Sequence, residues 1–111
     1  MTGKQPTVID GKMTVDRDPD EESWYAADIT QELIDRATTA QSVELDLLGV
    51  KQLQEPQIQV VTEGDVQRTY VKAFLGGLAS DPPDGWKWVA RVRCENGERF
   101  DKTTWFKKVD P

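Results

Sequence analysis

The sequence predicts an all-β protein, an immunoglobulin-like β-sandwich of about six to seven strands with an extended acidic N-terminal arm. Three observations lead there. Apolar and polar residues alternate in several short runs, the two-residue period of a strand with one buried face. Glycine, proline and Asn-Gly breaks separate those runs at the spacing of sandwich strands. No long stretch carries the period of an amphipathic helix. A chain of 111 residues fits one domain and can bury a core without metal or disulfide help.

Residues 1–22 are expected to form the arm. They hold Gly3, Pro6, Gly11 and Pro19, few apolar residues, and a dense charged end, Asp16-Arg17-Asp18-Pro19-Asp20-Glu21-Glu22. Such a segment has little to bury and is expected to order on a partner. The sandwich, residues 23–111, then begins near Ser23. Tyr25, Ala27, Ile29 and Leu33 share one parity, against Asp28, Thr30 and Glu32 on the other. This predicts a strand, in preference to the short helix that the good helix formers at Thr30–Arg36 also allow. Val43, Leu45 and Leu47 alternate with Ser42, Glu44 and Asp46, giving a second strand that ends at Gly49. Gln57–Val61 and Gln67–Leu75 are the next two, separated by Gly64-Asp65. Gly76-Gly77 and Asp81-Pro82-Pro83-Asp84-Gly85 then break the pattern as a loop.

The last two strands are the clearest unit. Trp86, Trp88, Ala90, Val92 and Cys94 share one face, with Lys87, Arg91 and Arg93 on the other. Asn96-Gly97 predicts a type I′ hairpin turn. Arg99–Val109 returns with Phe100, Lys102, Thr104 and Phe106 on one face and Thr103 and Trp105 on the other.

Composition excludes several chemistries. The chain has no histidine, so Ser–His and Cys–His catalysis and His-ligated zinc are out. Its one cysteine, Cys94, forms neither an internal disulfide nor a thiolate zinc site, and its parity predicts a buried small hydrophobe. The N-terminal Met1–Pro6 has no apolar segment of signal type, and no apolar run reaches membrane-spanning length. Gly76-Gly77 is not followed by the residues of a phosphate loop. Asp16, Asp18 and Asp20 have the alternate spacing of a calcium loop. Pro19 interrupts it, Glu21 stands at the turn-glycine position, and Ala27 stands where the final Glu belongs. The expectation is a protein that is not an enzyme, without cofactor or metal.

The net charge of −6 is uneven. Residues 1–66 hold 14 acidic and 5 basic residues (−9), and residues 67–111 hold 6 acidic and 9 basic (+3). An acidic front half argues against nucleic-acid binding. Opposite-signed surfaces would favour head-to-tail contact between copies. The candidate partner-binding residues are therefore Asp16, Asp18, Asp20, Glu21 and Glu22 on the arm, and Lys107 and Lys108 at the other end. Trp24, Trp86, Trp88 and Trp105 are read mainly as core, with at least one partly exposed. Exposed tryptophans keep a carbohydrate- or ligand-binding sandwich as the alternative function.

Two segments carry a family resemblance. Asp18-Pro19-Asp20-Glu21 followed by Trp24-Tyr25-Ala26-Ala27-Asp28-Ile29, and the closing hairpin from Gly97 through Arg99 and Asp101 to Phe106, are similar to motifs of small tailed-bacteriophage virion proteins, the fibre–tail adaptor-like family. Between them, a strand, a Gly-Gly break and another strand at Tyr70–Gly77 and Trp86–Arg93 keep the family order, so the resemblance covers roughly residues 12–108. It implies a non-enzymatic virion subunit, made in the host cytoplasm and assembled in several copies in the tail or neck. Its partners would be other phage structural proteins, with residues 12–22 docking on a neighbour, and neither nucleic acid nor membrane would be bound.

Overall fold

The structure is a computed structural model and describes residues 3–9, 11–18, 21–77 and 84–109. Two β-sheets face each other. The first has the order β1 (Thr7–Ile9), β2 (Lys12–Arg17), β9 (Arg99–Lys108), β8 (Lys87–Cys94) and β4 (Ala40–Leu48). The second has β3 (Ser23–Asp28) on one side of β7 (Val66–Gly76), with β6 (Gln57–Glu63) and the two-residue β5 (Lys51–Gln52) sharing the other side. All pairs are antiparallel except β2 and β9, which run parallel. The chain passes from sheet to sheet at β2–β3, β3–β4, β4–β5 and β7–β8, as the strand exchange of an immunoglobulin-like sandwich requires. The six strands predicted for the body are all present; β1, β2 and β5 are additional among the described residues.

The core lies between the inner faces. Tyr25, Ala27 and Ile29 join Val71, Ala73 and Leu75 from the second sheet, opposite Trp86, Trp88, Ala90, Val92, Cys94, Phe100 and Phe106 from the first. Trp88 and Trp86 are core residues, as their parity predicted, while Trp24 and Trp105 remain half-buried. Cys94 is buried, as expected, and burial pushes its thiol up. Phe106 sits at the centre of an aromatic cluster, with the Tyr25 ring edge-on at 5.3 Å and the Trp86 ring at 5.0 Å.

Three expectations are corrected. The first concerns the arm. The described residues of this segment do not stand apart: β2 is an inner strand of the five-stranded sheet, and β1 pairs with it. Val15 and Arg17 point into the core, and Arg17 has no exposed surface. Further back, the Lys4 main chain laces the free edge of β3: its N–H donates to Trp24 O at 2.9 Å, and its carbonyl accepts from Ala26 N–H at 2.7 Å. The N-terminal segment thus ties to the second sheet and then joins the first. Its high charge hid this, because one of its two buried residues, Val15 and Arg17, is an arginine.

The second concerns Thr30–Arg36. β3 stops at Asp28, and Thr30–Asp35 is an α-helix, α1. The Asp28 carboxylate accepts from Thr30 N–H at 2.9 Å, which turns the chain out of the strand. Ile29 and Leu33 remain buried together because four residues is one helical turn as well as an even strand offset. The helix closes in a Schellman motif: Thr38 N–H donates to Leu33 O at 3.2 Å, and Ala37 N–H to Ile34 O at 3.0 Å. Ala37 therefore takes φ 50°, a position that favours glycine. The exposed Ala37→Gly variant is expected to be more stable by about 0.5–1 kcal/mol, read as a rise in Tm.

The third concerns the β8–β9 turn. Only Gly97 is left-handed (φ 92°), so the turn is not type I′. Gly97 N–H donates to Cys94 O at 3.0 Å, and Cys94 N–H to Glu98 O at 2.8 Å. This is a type I turn followed by a glycine bulge. Asn96 is held in it by the segment that closes α1: its side-chain amide donates to Arg36 O at 3.2 Å, and its N–H to Thr38 Oγ1 at 3.2 Å.

Candidate interaction surface

The residues singled out on the N-terminal segment meet one another and the chain's other end. β2 runs beside β9 in a register that pairs Asp16 with Lys107 and Arg17 with Lys108. Asp16, Lys107 and Lys108 are exposed, Asp18 is half-buried, and Asp20 lies outside the described residues. The sequence polarity is therefore not a spatial polarity. Asp16 of β2 lies against Lys107 of the basic last strand, and on the far side of the sheet Glu44 of β4 stands opposite Arg91 of β8. Strands from the acidic and the basic half of the sequence are interleaved in the first sheet.

Glu21 is an internal latch. Its carboxylate accepts from Lys4 Nζ at 2.8 and 2.9 Å and from the Tyr25 hydroxyl at 2.5 Å. Its main-chain carbonyl accepts from Arg17 Nη2 at 2.7 Å. The Arg17 carbonyl accepts from Val109 N–H at 3.0 Å, which joins the two ends of the chain. The Arg17 guanidinium stacks over Trp86 at 5.1 Å and Phe106 at 5.6 Å. Lys4, Arg17 and Tyr25 were not anticipated in this cluster; the shared parity of Val15 and Arg17 was the one signal for the buried arginine. Glu22 is exposed beside Gly76, whose missing side chain leaves space for Leu53 and Glu22.

The electrostatics follow from these contacts. Burial alone would raise the Glu21 carboxyl, but hydrogen bonds from Lys4 and Tyr25, with the charges of Lys4 and Arg17, hold it below its ordinary value. Tyr25 is pushed far up, first by burial and then by donating to Glu21. On the outer face of the second sheet, Asp28 bonds Thr30 and pairs with Arg68 Nη1 at 3.1 Å, while Arg68 Nε lies 3.5 Å from Glu63. There too burial would raise the carboxyl, and the Thr30 hydrogen bonds and the Arg68 charge outweigh it. Burial, and then the charges of Glu63 and Asp28, raise the Tyr70 phenol.

A group with a depressed folded pKa stabilises the protein above its unfolded pKa and loses that contribution as pH falls through the folded value. Melting temperature is therefore expected to fall as pH drops below about 4, the unfolded carboxylate range. Thermal melts of wild type and Glu21→Gln from pH 7 to 3 check it; the variant should lose less over that window.

The two half-buried tryptophans carry lysines. Lys72 Nζ lies 5.2 Å from the Trp24 ring, which also packs on Phe74 at 5.2 Å. Lys12 and Lys87 lie 4.4 and 4.9 Å from the Trp105 ring. These ammonium contacts compete with a sugar for the indole faces.

Among the described residues the two longest open strand edges are those of β4 and β6, the short β1 and β5 being edges as well. β4, nine residues long, ends the first sheet, and β6, seven residues long, pairs only with β7; among the described residues neither has a further neighbour. The two edges lie close together on one flank, with Leu48 and Val60 as exposed apolar residues on them. Unpaired strand edges are templates for another chain. Comparison with protein-family models, curated proteins and solved structures finds no match to this chain.

Proposed function

We propose that this is a structural, non-enzymatic bacteriophage virion protein that acts as an adaptor in the tail or neck, through contacts with other structural proteins. The observation that carries the reading is the pair of open strand edges on one flank, β4 beside β6. A partner strand added there would satisfy main-chain hydrogen bonds that the subunit leaves unmade. The order of the family-like motifs supports the phage setting. In this reading the N-terminal segment is no free docking arm: it is part of the subunit's sheet, and the assembly surface lies at the edges. Several copies would be built into each particle.

The lysines over Trp24 and Trp105 weigh against the carbohydrate-binding alternative. The test is a double variant, Leu48→Lys with Val60→Lys. Both sites are exposed, so folding should change by about 0.5 kcal/mol or less. Incorporation into particles should be lost, because charges on an edge prevent strand addition. Wild-type incorporation of the folded double variant would contradict the edge surface.

A further inference from the structure

The first sheet carries a pair of charges that its own residues leave unanswered. Arg93 on β8 and Arg99 on β9 are direct register partners. Like charges facing each other across strands destabilise a sheet. The other four arginines are anchored. Arg17 donates to Glu21, Arg36 to Glu32 O at 3.0 Å, Arg68 pairs with Asp28, and Arg91 Nη2 pairs with Asp46 at 3.1 Å. Arg93 and Arg99 have no hydrogen bond or ion pair among the described residues, and both are exposed.

The surroundings form a receptacle. A groove of about 440 Å³ is lined by Arg91, Arg93 and Arg99, with Ser42, Glu44 and Asp101 among its other walls. The register of β4 on β8 shifts between Ala40 and Ser42, and the shift brings the Ser42 position opposite Arg93. The neighbouring carboxylates are drawn to Arg91: Asp46 pairs with it, Asp101 lies 4.0 Å from its Nε, and Glu44 is its register partner.

We propose that Arg93 and Arg99 bind a tetrahedral divalent oxyanion, the phosphoryl group of a phosphate monoester. Two guanidinium forks offer paired donors to such a group. A dianion balances both charges, whereas a single carboxylate would leave one uncompensated. Ser42 supplies a hydroxyl donor on the same wall, and the groove leaves room for the organic group that the phosphate carries. The site lies on the outer face of the sheet and reaches the edge strand β4 only through Ser42 and Glu44, and its test, at Arg93 and Arg99, leaves the β4 and β6 edges unaltered.

The test is thermal stability of the full chain at pH 7.5, with sodium chloride at matched ionic strength as the reference. Phenyl phosphate at about 20 mM is expected to raise the wild-type Tm by about 3 °C. Arg93→Gln and Arg99→Gln should each lose that response. In low salt without the anion, each should melt about 1–2 °C above wild type, because the opposed charge is gone. Two singles are used so that the failure of one to fold leaves the other as the test. A smaller response to inorganic phosphate than to phenyl phosphate assigns the monoester, and equal responses overturn that assignment in favour of the free ion. No wild-type response, or the same response in both variants, overturns the site.

Discussion

Arg17→Ala is expected to cost about 3–5 kcal/mol of folding stability, a large share of the roughly 5–15 kcal/mol that holds a domain of this kind. The side chain has no exposed surface, and its guanidinium covers Trp86 and Phe106. Truncation leaves a cavity against both rings and removes the donor from the Glu21 carbonyl. Arg17→Met keeps an unbranched stem against the rings and should cost about half as much, because it fills most of the cavity that alanine leaves. Arg17→Lys keeps the charge without the planar stack and should fall between the two. Urea melts of the three variants give the order. An alanine variant within about 1 kcal/mol of wild type would mean that Arg17 is at the surface and that β2 is not in the sheet.

Removal of residues 1–17 is expected to abolish cooperative folding. It takes away β1 and β2, the Lys4 contacts to β3 and Glu21, and the cover that Val15 and Arg17 give the core. β9 is left with a bare edge along Thr14–Arg17's former partners, Trp105 to Lys108. The truncated chain should show no sharp thermal transition by circular dichroism and poor dispersion in its amide NMR spectrum. A truncated chain that melts within a few degrees of wild type would restore the free arm that composition alone suggested.

The contrast between these segments says what a sequence of this kind reveals. The β8–β9 hairpin was legible because five successive same-face residues, Trp86 to Cys94, are apolar and a glycine turn follows. β2 was not, because its inward residues include an arginine whose burial depends on the Trp86 and Phe106 rings, some seventy and ninety positions away. α1 was masked by arithmetic: Ile29 and Leu33 satisfy both the strand and the helix period, and Asp28 bonding Thr30 N–H decided between them. The turn type depended on α1 as well, since Asn96 is held by Arg36 and Thr38. The candidate site was visible only as loose charges. Asp16 and Lys107 are neighbours because β2 runs parallel to β9, and Glu21 is occupied because Lys4 returns to it across 17 residues. The facing of Arg93 and Arg99 follows from the hairpin register, which the altered turn helps to set. Residue type was readable throughout; pairing across strands was not.

Where the chain resides is the most direct test of the functional reading. Antibody raised against the folded protein should be applied to purified phage particles and viewed by electron microscopy. The adaptor reading predicts labelling confined to the tail or neck, with the protein co-purifying with intact particles. Particles free of label and of the protein, with the chain found only among soluble proteins of the infected cell, would contradict it.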